Sequence, residues 1–223
     1  MNIMQKFEID GCGWYTVPGT DTRRSCHFLT KKVIGYYHDD YHSANNEKRI
    51  TEGTVEFVIT TLKNQFNEKS RNVLQKAIDN LQRILIGDLP KIMVESNKVI
   101  CVIPRAKVES NYQYNQLLFK KVVSSIAKDL NYIDGTDYIL RHTDTCTTHL
   151  ARSGYGGNGD MPYPGITKAT CTISNEVKGK DILLIDDLYT KNVGIDEDAI
   201  QALFDHGAKS VTFYSIGKTV KNS

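Results

Sequence analysis

The residues that first invite chemistry lie in the run DILLIDDLYTKNVG, Asp181 to Gly194. Four apolar residues, Ile182 to Ile185, suit full burial, and two carboxylates, Asp186 and Asp187, follow at once. Two carboxylates about 4 Å apart repel by roughly 4 kcal/mol at an effective dielectric of about 20. A cationic or donor-rich partner removes that cost. Three partners fit: a magnesium ion, a Lys or Arg side chain, or a sugar diol whose two hydroxyls donate to acceptor-only carboxylates. The plainer alternative is that Asp187 begins a turn and caps the next helix. Downstream, Thr190, Lys191, Asn192, Val193 and Gly194 form a short loop that leads into a helix. Such a loop offers free backbone N–H groups and the positive end of a helix dipole, which suits a phosphate. Asn192 and Gly194 tolerate the left-handed backbone it needs, and Lys191 adds positive charge. Acids for a diol, followed by a loop for a phosphate, describe a ribose 5-phosphate site.

The elements that must hold these residues follow from hydrophobic period. KKVIGYYH, Lys31 to His38, and TVEFVITTL, Thr54 to Leu62, read as strands. A helix is expected from about Glu68 to Ile86, with Val73, Leu74, Ala77, Ile78, Leu81, Ile84 and Leu85 at a 3.6-residue period and Gly87 and Pro90 at its end. KVICVI, Lys98 to Ile103, is a strand, and QLLFKKVVSSIAKDL is a helix. DYILR, KATCTIS and DILLID follow as strands, and SGYGGNGDMPYPG as a glycine- and proline-rich loop. EDAIQALFDHG is a helix closed by Gly207, and KSVTFYSIG is the last strand. Strands alternating with helices indicate an α/β fold with a mostly parallel sheet flanked by helices. Ligands of such sheets sit beyond the carboxyl ends of the strands. Asp186 and Asp187 are expected at one such end, and Pro104 and Arg105 at another.

Composition narrows the field. The 223 residues suffice for one sizeable α/β domain, and a net charge of +2 gives no broad nucleic-acid footprint. Five scattered cysteines without a C-x-x-C pair argue against a disulfide framework. A zinc site from Cys12, Cys26 and His27 lacks good spacing and a fourth ligand. The sequence shows neither a membrane-length apolar run nor a signal pattern, so a cytoplasmic location is expected. His142 and His149 read first as solvated loop residues, and Tyr36 to His42 as a strand edge that could also stack on a base.

Several pieces occur in a telling order. VICVIPRAK is similar to the strand and pyrophosphate loop of type I phosphoribosyltransferases, and YNQLL to the start of the helix after it. ILRHTDTCTTHLAR resembles the next strand and basic turn, the Gly-rich run the flexible loop, and GKDILLIDD the signature for phosphoribosyl pyrophosphate (PRPP). Over Lys98 to Lys218 the chain most resembles orphan members related to competence protein F, with similarity also to the transferase half of amidophosphoribosyltransferases. The resemblance implies an N-terminal hood or dimerisation region at residues 1–90, a phosphoribosyltransferase-like core at 91–223, and a homodimer. It implies Mg²⁺-dependent transfer of ribose 5-phosphate from PRPP to a nitrogen acceptor, or else binding of PRPP or a nucleotide by a non-catalytic regulatory module. A DNA-uptake or defence system is the setting suggested by the orphan relatives.

The site residues it implies are Asp186 and Asp187 for the ribose hydroxyls, meeting magnesium only indirectly. Thr190, Lys191, Asn192, Val193 and Gly194 would hold the 5-phosphate. Arg105 and Lys107 would neutralise pyrophosphate, and Arg141 and Arg152 would make pyrophosphate or base-side contacts. The family pattern D-D-x-x-T-T-G-x-T is broken here, because Lys191 replaces the second threonine, Asn192 the glycine and Gly194 the last threonine. Hydrogen bonds to a charged group contribute about 1.5–3 kcal/mol each, so two missing hydroxyls weaken phosphate binding by roughly 100-fold. Lys191 recovers part of that as a point charge.

Overall fold

Successive side chains of a strand point to opposite faces, so the apolar run Ile182–Ile185 demands cover on both sides of its sheet. The computed structural model describes residues 4–16, 22–27, 29–42, 47–63, 69–93, 98–145, 165–191 and 194–220. Its strands are β1 (Gln5–Ile9), β2 (Cys12–Thr16), β3 (Arg23–His27), β4 (Val33–Tyr41), β5 (Val99–Val102), β6 (Ile133–Asp134), β7 (Ile139–Arg141), β8 (Cys171–Ile173), β9 (Asp181–Tyr189) and β10 (Ser210–Thr219). The helices are α1 (Val55–Leu62), α2 (Arg71–Ile92), α3 (Leu118–Asp129) and α4 (Ile195–Asp205).

Six strands form the central sheet in the order β1-β4-β10-β9-β5-β6. Only β1 runs antiparallel, to β4; the β4–β10, β10–β9, β9–β5 and β5–β6 pairs are parallel. Two hairpins, β2–β3 and β7–β8, stand as separate two-stranded sheets. One face of the sheet, with Ile100, Val102, Leu183, Ile185, Tyr214 and Ile216, packs in a core with α1, α2 and α3. The other face, with Val99, Cys101, Ile182, Leu184, Val211 and Phe213, packs with α4 and with Ile139 and Ile173 of the β7–β8 hairpin. The architecture is therefore α/β, with a mostly parallel sheet covered by helices on both sides. The expected division near residue 90 marks no break in packing: β1 and β4 belong to the central sheet, and α1 and α2 share a core with α3.

Thr54 to Leu62 is a helix, not the strand its β-branched residues suggest. Thr54 caps it, its hydroxyl accepting from the Phe57 N–H at 3.2 Å. Val55, Glu56, Phe57, Val58, Ile59, Thr61 and Leu62 are all buried. A segment covered on nearly every side loses its amphipathic period, and tertiary packing outweighs propensity. The second helix starts later and runs further than expected. Ser70 caps it, and it continues through Gly87 and Pro90 to Ile92. Proline removes the N–H that would bond the carbonyl four residues earlier. That carbonyl belongs to Ile86, which is exposed, so water can satisfy it.

The face assignment of α2 can be tested on adjacent residues, since Leu85 is 0% exposed and Ile86 52%. Urea denaturation is expected to show a loss of ~2–5 kcal/mol for Leu85→Ala and a change within ~0.5 kcal/mol for Ile86→Ala. Equal effects would contradict the helix orientation.

Candidate functional site at the carboxyl ends of β5 and β9

The chain leaves β5 toward β6 on one side of the sheet, whereas β9 leads to β10 on the other side. The crevice between β5 and β9 is thus the topological switch point, where ligands of open α/β sheets bind. Pairing of β9 with β5 ends at Ile185 opposite Val102, but pairing with β10 continues to Tyr189. Asp186 and Asp187 therefore lie inside a strand, on the stretch that outruns β5. This overturns the alternative in which Asp187 caps a helix: the cap of α4 is Gly194.

The partner that the acid pair requires is Lys63, the residue that ends α1. Its Nζ donates to Asp186 Oδ1 at 2.7 Å and to Asp187 Oδ1 at 2.5 Å. Both aspartates are buried. Burial works against the Lys63 charge, but attraction to the two carboxylates outweighs it and the pKa is raised. The two acids divide unequally. Burial, only partly offset by Lys63, pushes Asp186 from 3.8 up to about 7. For Asp187 burial is the largest influence, yet Lys63, Asp186 and Arg105 together hold its carboxyl below the usual range. The pair is thus split, with Asp187 held toward its ionised form and Asp186 pushed toward neutrality.

A third acid, Asp196, closes on the pair from the first turn of α4. Burial and then repulsion from Asp186 raise its pKa well above the ordinary value, and its Oδ1 has no hydrogen-bond partner. Glu197 accepts from the Tyr189 hydroxyl at 2.9 Å, and the Ile166 N–H donates to Asp198. All three first-turn acids are thereby turned to internal contacts. In the expected phosphate loop, Gly194 adopts the left-handed conformation at φ 81°, as its position before α4 requires. Thr190 shares a 2.7 Å hydrogen bond with the Thr219 hydroxyl, and Lys191 is exposed. Asn192, Val193, Arg152, His149, Cys146 and most of the Gly-rich run lie outside the described residues.

On the β5 side, Arg105 is built into the loop. Its Nη1 donates to the Gln116 carbonyl at 2.8 Å and its Nη2 to the Lys63 carbonyl at 3.1 Å. The guanidinium also lies 4.5 Å from the centre of the Tyr112 ring. Arg141 supports this loop from below: it is buried and donates to the Arg105 carbonyl at 2.6 Å. The Lys107 N–H donates to the Tyr112 hydroxyl at 3.1 Å. A cleft of about 340 Å³, open solvent included, lies beside these residues and is lined by Lys63, Arg105, Glu109, Gln116, Phe119 and Lys120 among others. Lys120 bridges Glu109 and Asp137, each at 2.5 Å.

The structure so brings together Asp186, Asp187 and Arg105, as their types suggested, and adds Lys63, Lys120 and Asp196. The need for a cationic or donor-rich partner beside the acid pair was readable in sequence. Its identity was not, because 123 positions separate Lys63 from Asp186. Among the described residues, no three His, Cys, Asp or Glu side chains are grouped to hold a metal ion. A hard cation would therefore need oxygen ligands beyond Asp186 and Asp187, from its substrate and from water.

Fold and site define an α/β protein with an acid pair and a cationic loop at the switch point of its sheet. No helix among the described residues is long and apolar enough to cross a membrane. No protein-family model matches the chain, and no curated protein matches it in sequence.

The elevated Asp186 pKa has a direct consequence for stability. Between its ordinary 3.8 and about 7 the folded state binds more protons than the unfolded chain, so stability falls as pH rises through that window. Asp186→Asn is expected to flatten this fall in urea titrations across the same pH range. Part of the slope should remain from Asp198, which burial raises to about 6. A variant with the wild-type slope would show that Asp186 is ionised throughout.

Proposed function

We propose that the crevice between β5 and β9 binds PRPP and that the chain transfers its ribose 5-phosphate to a nitrogen acceptor. The observation that carries this reading is the buried Asp186–Asp187 pair at the topological switch point, facing a loop with Arg105 and Lys107 at the neighbouring strand end. Carboxylates accept from the two ribose hydroxyls and fix the sugar. The loop from Thr190 to Gly194 takes the 5-phosphate at the start of α4. Arg105 and Lys107 face the leaving pyrophosphate, with Arg141 setting the Arg105 backbone. Arg152 belongs to the same expected set. Asp186 and Asp187 would face a magnesium ion carried on the pyrophosphate, and the ion would supply positive charge to the leaving group.

Breaking the bond from the anomeric carbon to pyrophosphate leaves positive charge on the sugar. Asp186 and Asp187, fixed beside the hydroxyls, are placed to stabilise that charge without reorganising. The acceptor nitrogen then forms the new bond and loses a proton.

A second reading is binding without turnover. It is favoured by Lys63, which already satisfies the acid pair, and by three acids in the first turn of α4. Acidic side chains at a helix N-terminus compete with a phosphate for its dipole.

Isothermal titration with PRPP and Mg²⁺, with pyrophosphate release followed in the same samples, separates the two. Wild type is expected to bind and release pyrophosphate with a nitrogen acceptor. The Asp186→Asn/Asp187→Asn double variant should bind at least ~10-fold more weakly. Binding without release over a range of acceptors selects the regulatory reading. No binding at millimolar PRPP removes both.

A further inference from the structure

Lys63 makes the same contacts that a sugar diol or a hydrated cation would make. An ionised carboxylate only accepts, and the ammonium supplies a donor to each of the two acids at 2.7 and 2.5 Å. An incoming cation or diol cannot share those oxygens on equal terms while the ammonium stays. The surroundings allow it to leave. Lys63 follows the last residue of α1, and the helix is secured without its side chain by buried Val55, Val58, Ile59 and Leu62. The backbone is held separately, its N–H donating to the Ile59 carbonyl and its carbonyl accepting from Arg105. The ammonium lies 5.2 Å from the centre of the Phe119 ring, on the wall of the adjoining cleft. A rotation of the four-carbon stem toward that ring carries the charge into the cleft without moving α1.

We propose that Lys63 is a displaceable counter-ion: it occupies the position between Asp186 and Asp187 in the free protein and yields it to a divalent cation, alone or carried on a sugar phosphate. For the natural ligand this inference rests on the proposed ribose-phosphate site; for the cation it stands on the ion triad. The arrangement has two effects. The free protein is spared two unneutralised carboxylates in a buried strand. An entering ligand sends a positive charge into the cleft next to Arg105, where the proposed site places the leaving pyrophosphate.

The test uses Mn²⁺ as a probe of the two carboxylates and needs no knowledge of the acceptor. Wild type, Lys63→Met and Lys63→Arg are titrated with Mn²⁺ by electron paramagnetic resonance. Lys63→Met is expected to bind Mn²⁺ about tenfold more tightly than wild type, and Lys63→Arg, which keeps the competing charge, no more tightly. Because Lys63→Met could fold poorly, a second measurement uses wild type alone. Acetylation of lysines by an activated ester, read by mass spectrometry, is expected to find Lys63 protected without metal and about tenfold more reactive with Mn²⁺. Unchanged Lys63 reactivity, or equal Mn²⁺ affinity in a folded Lys63→Met, overturns the proposal. If Mn²⁺ releases Lys63 but PRPP does not bind, the displaced lysine stands and the ribose-phosphate reading falls.

Discussion

Two carboxylates on consecutive residues of a buried strand need a cation that both can reach, and much of this site's geometry follows from that need. Neighbouring residues of a strand point to opposite faces of the sheet. A single ammonium can bridge Asp186 and Asp187 only at an open edge of the strand, where no neighbouring backbone blocks it. β5 provides that edge by ending at Val102, while β9 continues beside β10 to Tyr189. Lys63 enters there from the end of α1. Its carbonyl then holds Arg105, so one residue ties the acid pair, the β5 loop and the first helix together. Removing one partner of a buried ion pair costs about 3–5 kcal/mol, because the remaining charge is stranded. The triad thus constrains the fold as well as the chemistry.

The unequal behaviour of the acids follows from a shortage of positive charge. Asp186, Asp187 and Asp196 are buried close together, and one ammonium, that of Lys63, bridges the first two. Full ionisation would set three negative charges against Lys63 and the nearby Arg105 in a region largely closed to water. A proton is the remaining counter-charge, and burial raises the pKa of both Asp186 and Asp196. Lys63, Asp186 and Arg105 hold Asp187 below the usual range, whereas burial, joined by repulsion from Asp187, pushes Asp186 upward. An acid poised near neutrality can offer a diol both a donor and an acceptor. A fully ionised pair would offer acceptors alone.

The sheet, and the gathering of Asp186, Asp187 and Arg105 at neighbouring strand ends, were readable because they rest on local signals. Ile182–Ile185 and Val99–Val102 are short continuous apolar runs, as buried parallel strands require, and the acids and Arg105 follow them directly. Gly194 before α4 announced a left-handed residue, which the structure has. The failures have physical causes. Thr54–Leu62 carries β-branched residues on a helix buried nearly all round, so neither propensity nor period marked it. Pro90 stands in the last turn of α2, where the lost hydrogen bond falls on the exposed side and costs little. Lys63 and Asp196 acquire their roles only through long-range packing, and nothing in their neighbours' identities signals it.

The start of α4 bears most directly on catalysis versus binding. A helix N-terminus carries roughly half a positive charge, worth about 0.3–1 kcal/mol to an anion near it. Here Asp196, Glu197 and Asp198 already claim that field. Their side chains are nevertheless held inward, against Asp186, Tyr189 and Ile166. The proposed phosphate would still meet their charge, lessened where burial raises the pKa of Asp196 and Glu197. Raised pKa values in this cluster ease the conflict between an acid-rich helix start and the proposed anionic ligand. For the proposed phosphate, affinity and the protonation of this cluster are therefore coupled: ionisation of these acids adds negative charge at the start of α4.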